Sequence, residues 1–204
     1  MDLTQWLGLC LVCLLGAASP GPSLIIVLRN ALPNRQLQGY ICAASHGLAV
    51  FFYALIAIFG LGLLFNHADI QKLFTWISCF FLGWLGIQLL INKPKTLQNI
   101  GTKDQPLNDA KAAAIQGFAV AFLNPKLAAF FLAIFSQFIN GPQSLAEKML
   151  MASTAGIIDV LWYCLVVTLL TRAKLAATVE HLFSHIDRFF GVVLITIAVS
   201  ILLR

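Results

Sequence analysis

Residues 122–131 read FLNPKLAAFF, and Asn124, Pro125 and Lys126 stand in a row inside a run of hydrocarbon side chains. In an aqueous loop the triplet would be ordinary. What surrounds it decides its meaning, and composition identifies the surroundings. Of 204 residues, 60% are hydrophobic and 10% charged, with a mean hydropathy of +0.89, against about 25% charged in an ordinary soluble domain. So few charges cannot clothe a water-facing surface.

The charges cluster and leave six apolar runs, at about 4–28, 39–65, 70–91, 112–139, 146–170 and 187–203. A helix of ~20 apolar residues crosses a hydrocarbon core about 30 Å thick. The fold class expected is therefore an all-α integral membrane protein with six transmembrane helices, and its first partner is the lipid bilayer. GAAS at 16–19 resembles a signal-peptide cleavage site, but Asp2 is the sole charge before Arg29, so the basic flank of a signal peptide is missing and the run is taken as a span.

The net charge of +5 could serve a nucleic acid, yet orientation accounts for it better. With loops assigned to alternate sides, nine basic residues fall on one side and three on the other, with Lys126 inside a span. Positive charge marks the cytoplasmic side. Both termini are accordingly expected outside, on the periplasmic face of an inner membrane, with the loops at 29–38, 92–111 and 171–186 cytoplasmic and no nucleic acid as partner. All five cysteines fall in spans, where Cys10-x-x-Cys13 is taken as small packing residues rather than a redox or metal pair. No metal-ligand spacing or phosphate loop is present, so no metal or cofactor is expected.

The polar stretch 92–111, with Pro94, Gly101 and Pro106, divides the chain into 1–91 and 112–204. Three spans per half put the second half in the membrane upside down, the setting of an inverted repeat. Ser19-Pro20 and Asn124-Pro125 lie 105 residues apart, and the same shift carries 39–65 onto 144–170. The third span does not map onto the sixth in this reading, because 171–186 intervenes. That segment, near 172–186, is expected as an amphipathic helix at the cytoplasmic interface or a solvated linker helix.

Proline inside a membrane helix deletes a hydrogen bond and pushes its predecessor out of helical geometry, so the exposed polar groups must be covered by protein or water. Asn124-Pro125 also has the grammar of a helix start, an N-cap followed by proline at the first position. Ser19-Pro20 has it too. Read this way, spans 1 and 4 are interrupted, and each aims the positive end of a half-helix inward, where anions are attracted and Lys126 adds a full charge. A simple kink, with Lys126 reaching an interface, is the alternative.

Asp159, in AGIIDVLWY, is a second charge inside a span. It can cycle protons, hold a substrate ammonium, neutralise Lys126 or face outward near a boundary. Tyr163, one turn on, is placed to share a hydrogen bond with it. His46 is either a satisfied packing residue or a contact for substrate or protons, and Ser23 is placed to line the first break. The candidate set is Ser19, Pro20, Gly21, Pro22, Ser23, His46, Asn124, Pro125, Lys126, Asp159 and Tyr163.

These stretches also carry a resemblance. SPGPSLIIVLRNAL at 19–32, LGWLGIQLL at 82–90, FLNPKLAAFFLAIFSQF at 122–138 and DVLWY at 159–163 resemble segments of the LysE/RhtB-type amino-acid exporters. The likeness implies export of a small amino acid or related metabolite out of the cytoplasm, coupled to the proton gradient. It carries over Pro20, Gly21, Pro22, Asn124, Pro125, Lys126 and Asp159. Ser23 stands where many relatives have Asn, and Ser136 where many have Pro. An intramembrane enzyme built on Ser23, His46 and Asp159 is the first rival, although Gly21-Pro22-Ser23-Leu24 lacks the second glycine of a rhomboid-type turn. A non-transporting membrane subunit or a channel is the second. Glycines at 60, 62, 83 and 86 lack GxxxG spacing, so a homo-oligomer is possible without a face to build it.

Overall fold

The computed structural model of the protein describes residues 1–19, 21–31, 35–64, 68–91, 109–139, 143–172 and 176–203. Pro20 and most of the linker expected at 92–111 lie outside them. The described residues form eight helices: α1 (Leu3–Ala18), α2 (Pro22–Asn30), α3 (Gln36–Leu64), α4 (Ala68–Ile91), α5 (Ala110–Phe122), α6 (Pro125–Phe138), α7 (Leu145–Arg172) and α8 (Ala176–Leu202).

Their starts follow from capping chemistry. Asp2 accepts from the amide of Gln5 at 2.7 Å while Gln5 accepts from the amide of Asp2 at 3.2 Å, closing a capping box on α1. Ser144 and Glu147 reciprocate in the same way at the start of α7. Asp109 accepts from the amide of Lys111 to cap α5.

Three stretches, Gln36–Gly62, Lys72–Ile91 and Leu145–Leu169, are long and apolar enough to cross a membrane. Two helix pairs pass as single bent spans: α1 with α2 at 67°, and α5 with α6 at 55°. A shorter apolar stretch, Arg188–Leu202, completes α8. Outward-facing side chains agree with a lipid setting: Phe80 is 82% exposed and Trp76 64% on α4, a patch that water would not tolerate.

Residues 176–202 are a single unbroken helix, so the helical segment expected near 172–186 runs on into the sixth apolar run. The amphipathic pattern there reflects a helix whose first turns carry polar residues before the apolar stretch begins, and polarity alone does not end a helix.

Packing is organised around α3, which lies mainly against α7 and α5, while α4 lies mainly against α8. Between apolar helices in lipid there is no hydrophobic driving force, so close backbone approach matters. Gly47 on α3 and Gly156 on α7 supply it: a methyl on either would stand within 3.0 Å of the other's carbonyl oxygen. Two polar contacts join the elements at opposite ends. Trp6 Nε1 donates to Thr154 Oγ1 at 3.1 Å, linking α1 to α7, and Asn30 Nδ2 donates to Gln116 Oε1 at 2.9 Å, linking α2 to α5.

Candidate functional site

The break between α5 and α6 is built by its own sequence. Asn124 is extended (φ −83°, ψ 107°), accepts from the amide of Lys126 through Oδ1, and is followed by Pro125 at the first helical position. The hydrogen bond measures 3.0 Å. Asn124 is buried, so this cap replaces the water that an exposed helix start would use.

The first break differs in detail from expectation. Ser19 does not open a helix; it ends one, as the C-cap of α1, with its amide bonded to the carbonyl of Leu15. The restart comes at Gly21, the extended N-cap of α2, with Pro22 at the first position. Of two prolines two residues apart, Pro22 is the one whose missing donor falls on the first turn of α2, where it is not needed. The helix-start grammar at Ser19-Pro20 was therefore shifted by two residues.

The two breaks meet. Lys126 Nζ donates to Ser19 Oγ at 2.9 Å, across 107 residues of sequence. Lys126 therefore reaches inward to the end of α1.

Asp159 takes a different partner. Its Oδ2 lies 2.6 Å from His46 Nδ1, joining α7 to α3, and both side chains are buried, at 4% and 1% exposure. The two charges inside spans thus go to separate partners, Lys126 to Ser19 and Asp159 to His46. With Asp159 ionised, its carboxylate only accepts, so Nδ1 carries the hydrogen and a neutral ring presents a lone pair at Nε2. That Nε2 is buried with no hydrogen-bond partner.

Tyr163 does not bond to Asp159. Its ring stands edge-on to His46, with centroids 4.8 Å apart at 69°, and its phenol is turned toward Ser23. The two hydroxyls do not meet in good geometry, and Ser23 Oγ is also buried without a partner. Cys13 of α1 stands near Asp159. Two unsatisfied polar atoms, from α2 and α3, therefore lie around one tyrosine of α7. Burying such groups unpaired costs about 1–3 kcal/mol each, a cost that a bound polar ligand would remove.

The structure brings Ser19 to Lys126, and His46, Tyr163 and Ser23 to the neighbourhood of Asp159. Pro20 lies outside the described residues. Sequence reasoning did not select Asn30, which is 1% exposed and bonds to Gln116 and the carbonyl of Ile26. Its place beside Arg29 at the end of an apolar run made it look like the start of a loop. Nor did it select the Ser136–Ser78 hydrogen bond between α6 and α4.

The family model for the LysE type translocator matches residues 14–204. The threonine efflux protein of Salmonella typhimurium is 22% identical over 189 residues, 89% of each chain. The leucine efflux protein of Klebsiella pneumoniae is 25% identical over 122 residues, 59% of this chain and 57% of its own. The membrane protein YrhP of Bacillus subtilis is 26% identical over 165 residues, 76% of this chain and 78% of its own. No solved structure matches the chain significantly. The matched relatives with stated activities are efflux proteins, which sets the chain among transporters and not enzymes. A multi-pass helical chain whose two broken spans touch through Lys126, and which fits the family model over nearly its whole length, belongs to the LysE type translocators.

Proposed function

We propose that the protein exports a small amino acid or close analogue across the inner membrane in exchange for protons. The observation that carries this reading is the hydrogen bond from Lys126 to Ser19, which puts an ammonium group and the capped start of α6 at the meeting point of the two breaks. Positive helix ends and a half-buried ammonium suit a carboxylate. In this reading Lys126, Asn124, Pro125 and the turn Ser19-Pro20-Gly21-Pro22 receive the carboxylate of the substrate, while Asp159 with His46, flanked by Ser23 and Tyr163, handles the amine or the coupling proton.

The reading includes six spans in two inverted repeats, 1–91 and 112–204, joined by a cytoplasmic linker at 92–111, with both termini outside. Two observations support the repeats. Exchanging α1–α4 for α5–α8 maps the pairs α3–α7 and α4–α8 onto themselves and the pair α3–α5 onto α7–α1, and all of these pack together. Gly86 and Gly191, which touch each other, are separated by the same 105 residues as Ser19 and Asn124.

Counterflow in proteoliposomes tests the function: external labelled amino acid should accumulate against an internal unlabelled pool. Wild-type rates in both Lys126→Ala and Asp159→Asn would overturn the assignment of the site. A protein that never exchanges any amino acid would overturn the function.

A further inference from the structure

Resting on the exporter reading above, we propose that the substrate ammonium and the coupling proton compete for one atom, Nε2 of His46. Three observations meet there. Nδ1 is committed to Asp159 at 2.6 Å. Nε2 is left without a partner in a ring that is 1% exposed. Ser23 Oγ, also buried and without a partner, lies beside the phenol of Tyr163, whose ring packs edge-on against the imidazole.

The charge of the pair decides what it can hold. With Asp159 ionised and the ring neutral, the pair carries one negative charge and offers a lone pair, which suits a primary ammonium donor. One added proton brings the pair to zero, turns Nε2 into a donor and leaves it no means of accepting from an ammonium. Proton-bound and ammonium-bound states therefore exclude each other at a single nitrogen. That exclusion is what exchange transport requires, since a carrier that returns with a proton cannot also return with its cargo.

The surroundings leave this titration to the pair. Among the described residues, Tyr163 from α7, Cys13 from α1 and Cys42 on α3 itself are the other titratable groups near it. Phenols and thiols ordinarily titrate above the histidine range. Ser23 from α2 does not titrate. Lys126 from α6 is bonded to Ser19. Arg29, Lys111 and Glu147 sit in end turns of α2, α5 and α7, with Lys148 beside Glu147.

The test uses the full chain, purified in detergent, after counterflow with the twenty common amino acids has identified one that is carried. Titration of that amino acid in two buffers of different ionisation enthalpy counts the protons released. Wild type should release up to about one proton per molecule bound, with affinity rising up to about tenfold per pH unit across the titration. The matching 2-hydroxy acid, which lacks the ammonium, should release none. His46→Gln should lose both the proton release and the pH dependence of binding, and with them accumulation driven by a proton gradient. Counterflow without proton release in the wild type would overturn the competition and leave the exporter reading standing, and so would equal release with the hydroxy acid. No counterflow with any amino acid would overturn both. The wild-type comparison decides the matter even if His46→Gln fails to fold.

Discussion

Gly86 of α4 and Gly191 of α8 press backbone to backbone, so that a methyl on either would stand 2.7 Å from the carbonyl oxygen of the other. No flexible side-chain tip can yield at such a contact. Gly86→Ala should therefore destabilise the protein by about 1–3 kcal/mol, as overpacking does, and lower the midpoint of thermal unfolding in detergent. Gly8→Ala is the control, because nothing lies within 4 Å of its added methyl.

Asn124, itself buried, caps α6 through the amide of Lys126. Asn124→Ala should cost about 1 kcal/mol and Asn124→Ser much less, because serine keeps the capping oxygen. The same unfolding measurement separates them. Equal midpoints for the two would mean that the cap contributes nothing.

The Lys126–Ser19 contact predicts an order of transport defects. Ser19→Ala removes a hydrogen bond to a charged group, worth about 1.5–3 kcal/mol, and should slow counterflow by roughly 10- to 100-fold if the loss falls fully on the transport barrier. Lys126→Met should slow it further, since the charge itself goes. Lys126→Arg should not restore it, because a planar fork does not replace a compact ammonium. Initial rates at matched reconstitution give the order, and a fast Lys126→Met would remove lysine from the site.

His46 and Asp159 should behave as one unit in stability as well as transport. Removing one partner of a buried pair costs about 3–5 kcal/mol, because the other is left stranded. Asp159→Ala and His46→Ala should each be strongly destabilising, and the double variant should cost clearly less than their sum. Simple additivity of the unfolding shifts would show that the 2.6 Å contact carries no coupling.

The membrane class, the two breaks and the family were legible because each is written in local chemistry: run length, proline after a capping residue, and contiguous motifs. The partners of the charges were not. Asp159 and His46 are 113 positions apart, and each was weighed alone because nothing in a single sequence says which faces of α3 and α7 turn toward each other. Ser19 was misread for a subtler reason. Its residue type suits an N-cap and Pro20 suits the first turn, but the second proline, Pro22, offers the same local fit, and the path of the chain through the turn decides between them. The segment at 172–186 reads as helix from its amphipathicity, which does not say where that helix ends.

The contacts Trp6–Thr154 and Asn30–Gln116 tie the half-helices α1 and α2 to neighbouring spans at opposite ends of the molecule. Each is a neutral hydrogen bond, of a kind whose net worth is about 0.5–1.5 kcal/mol. A latch of that strength keeps a door shut most of the time yet yields to ordinary thermal agitation. In the exporter reading proposed above, opening either face would then draw little on the proton gradient, whose part would be to set direction.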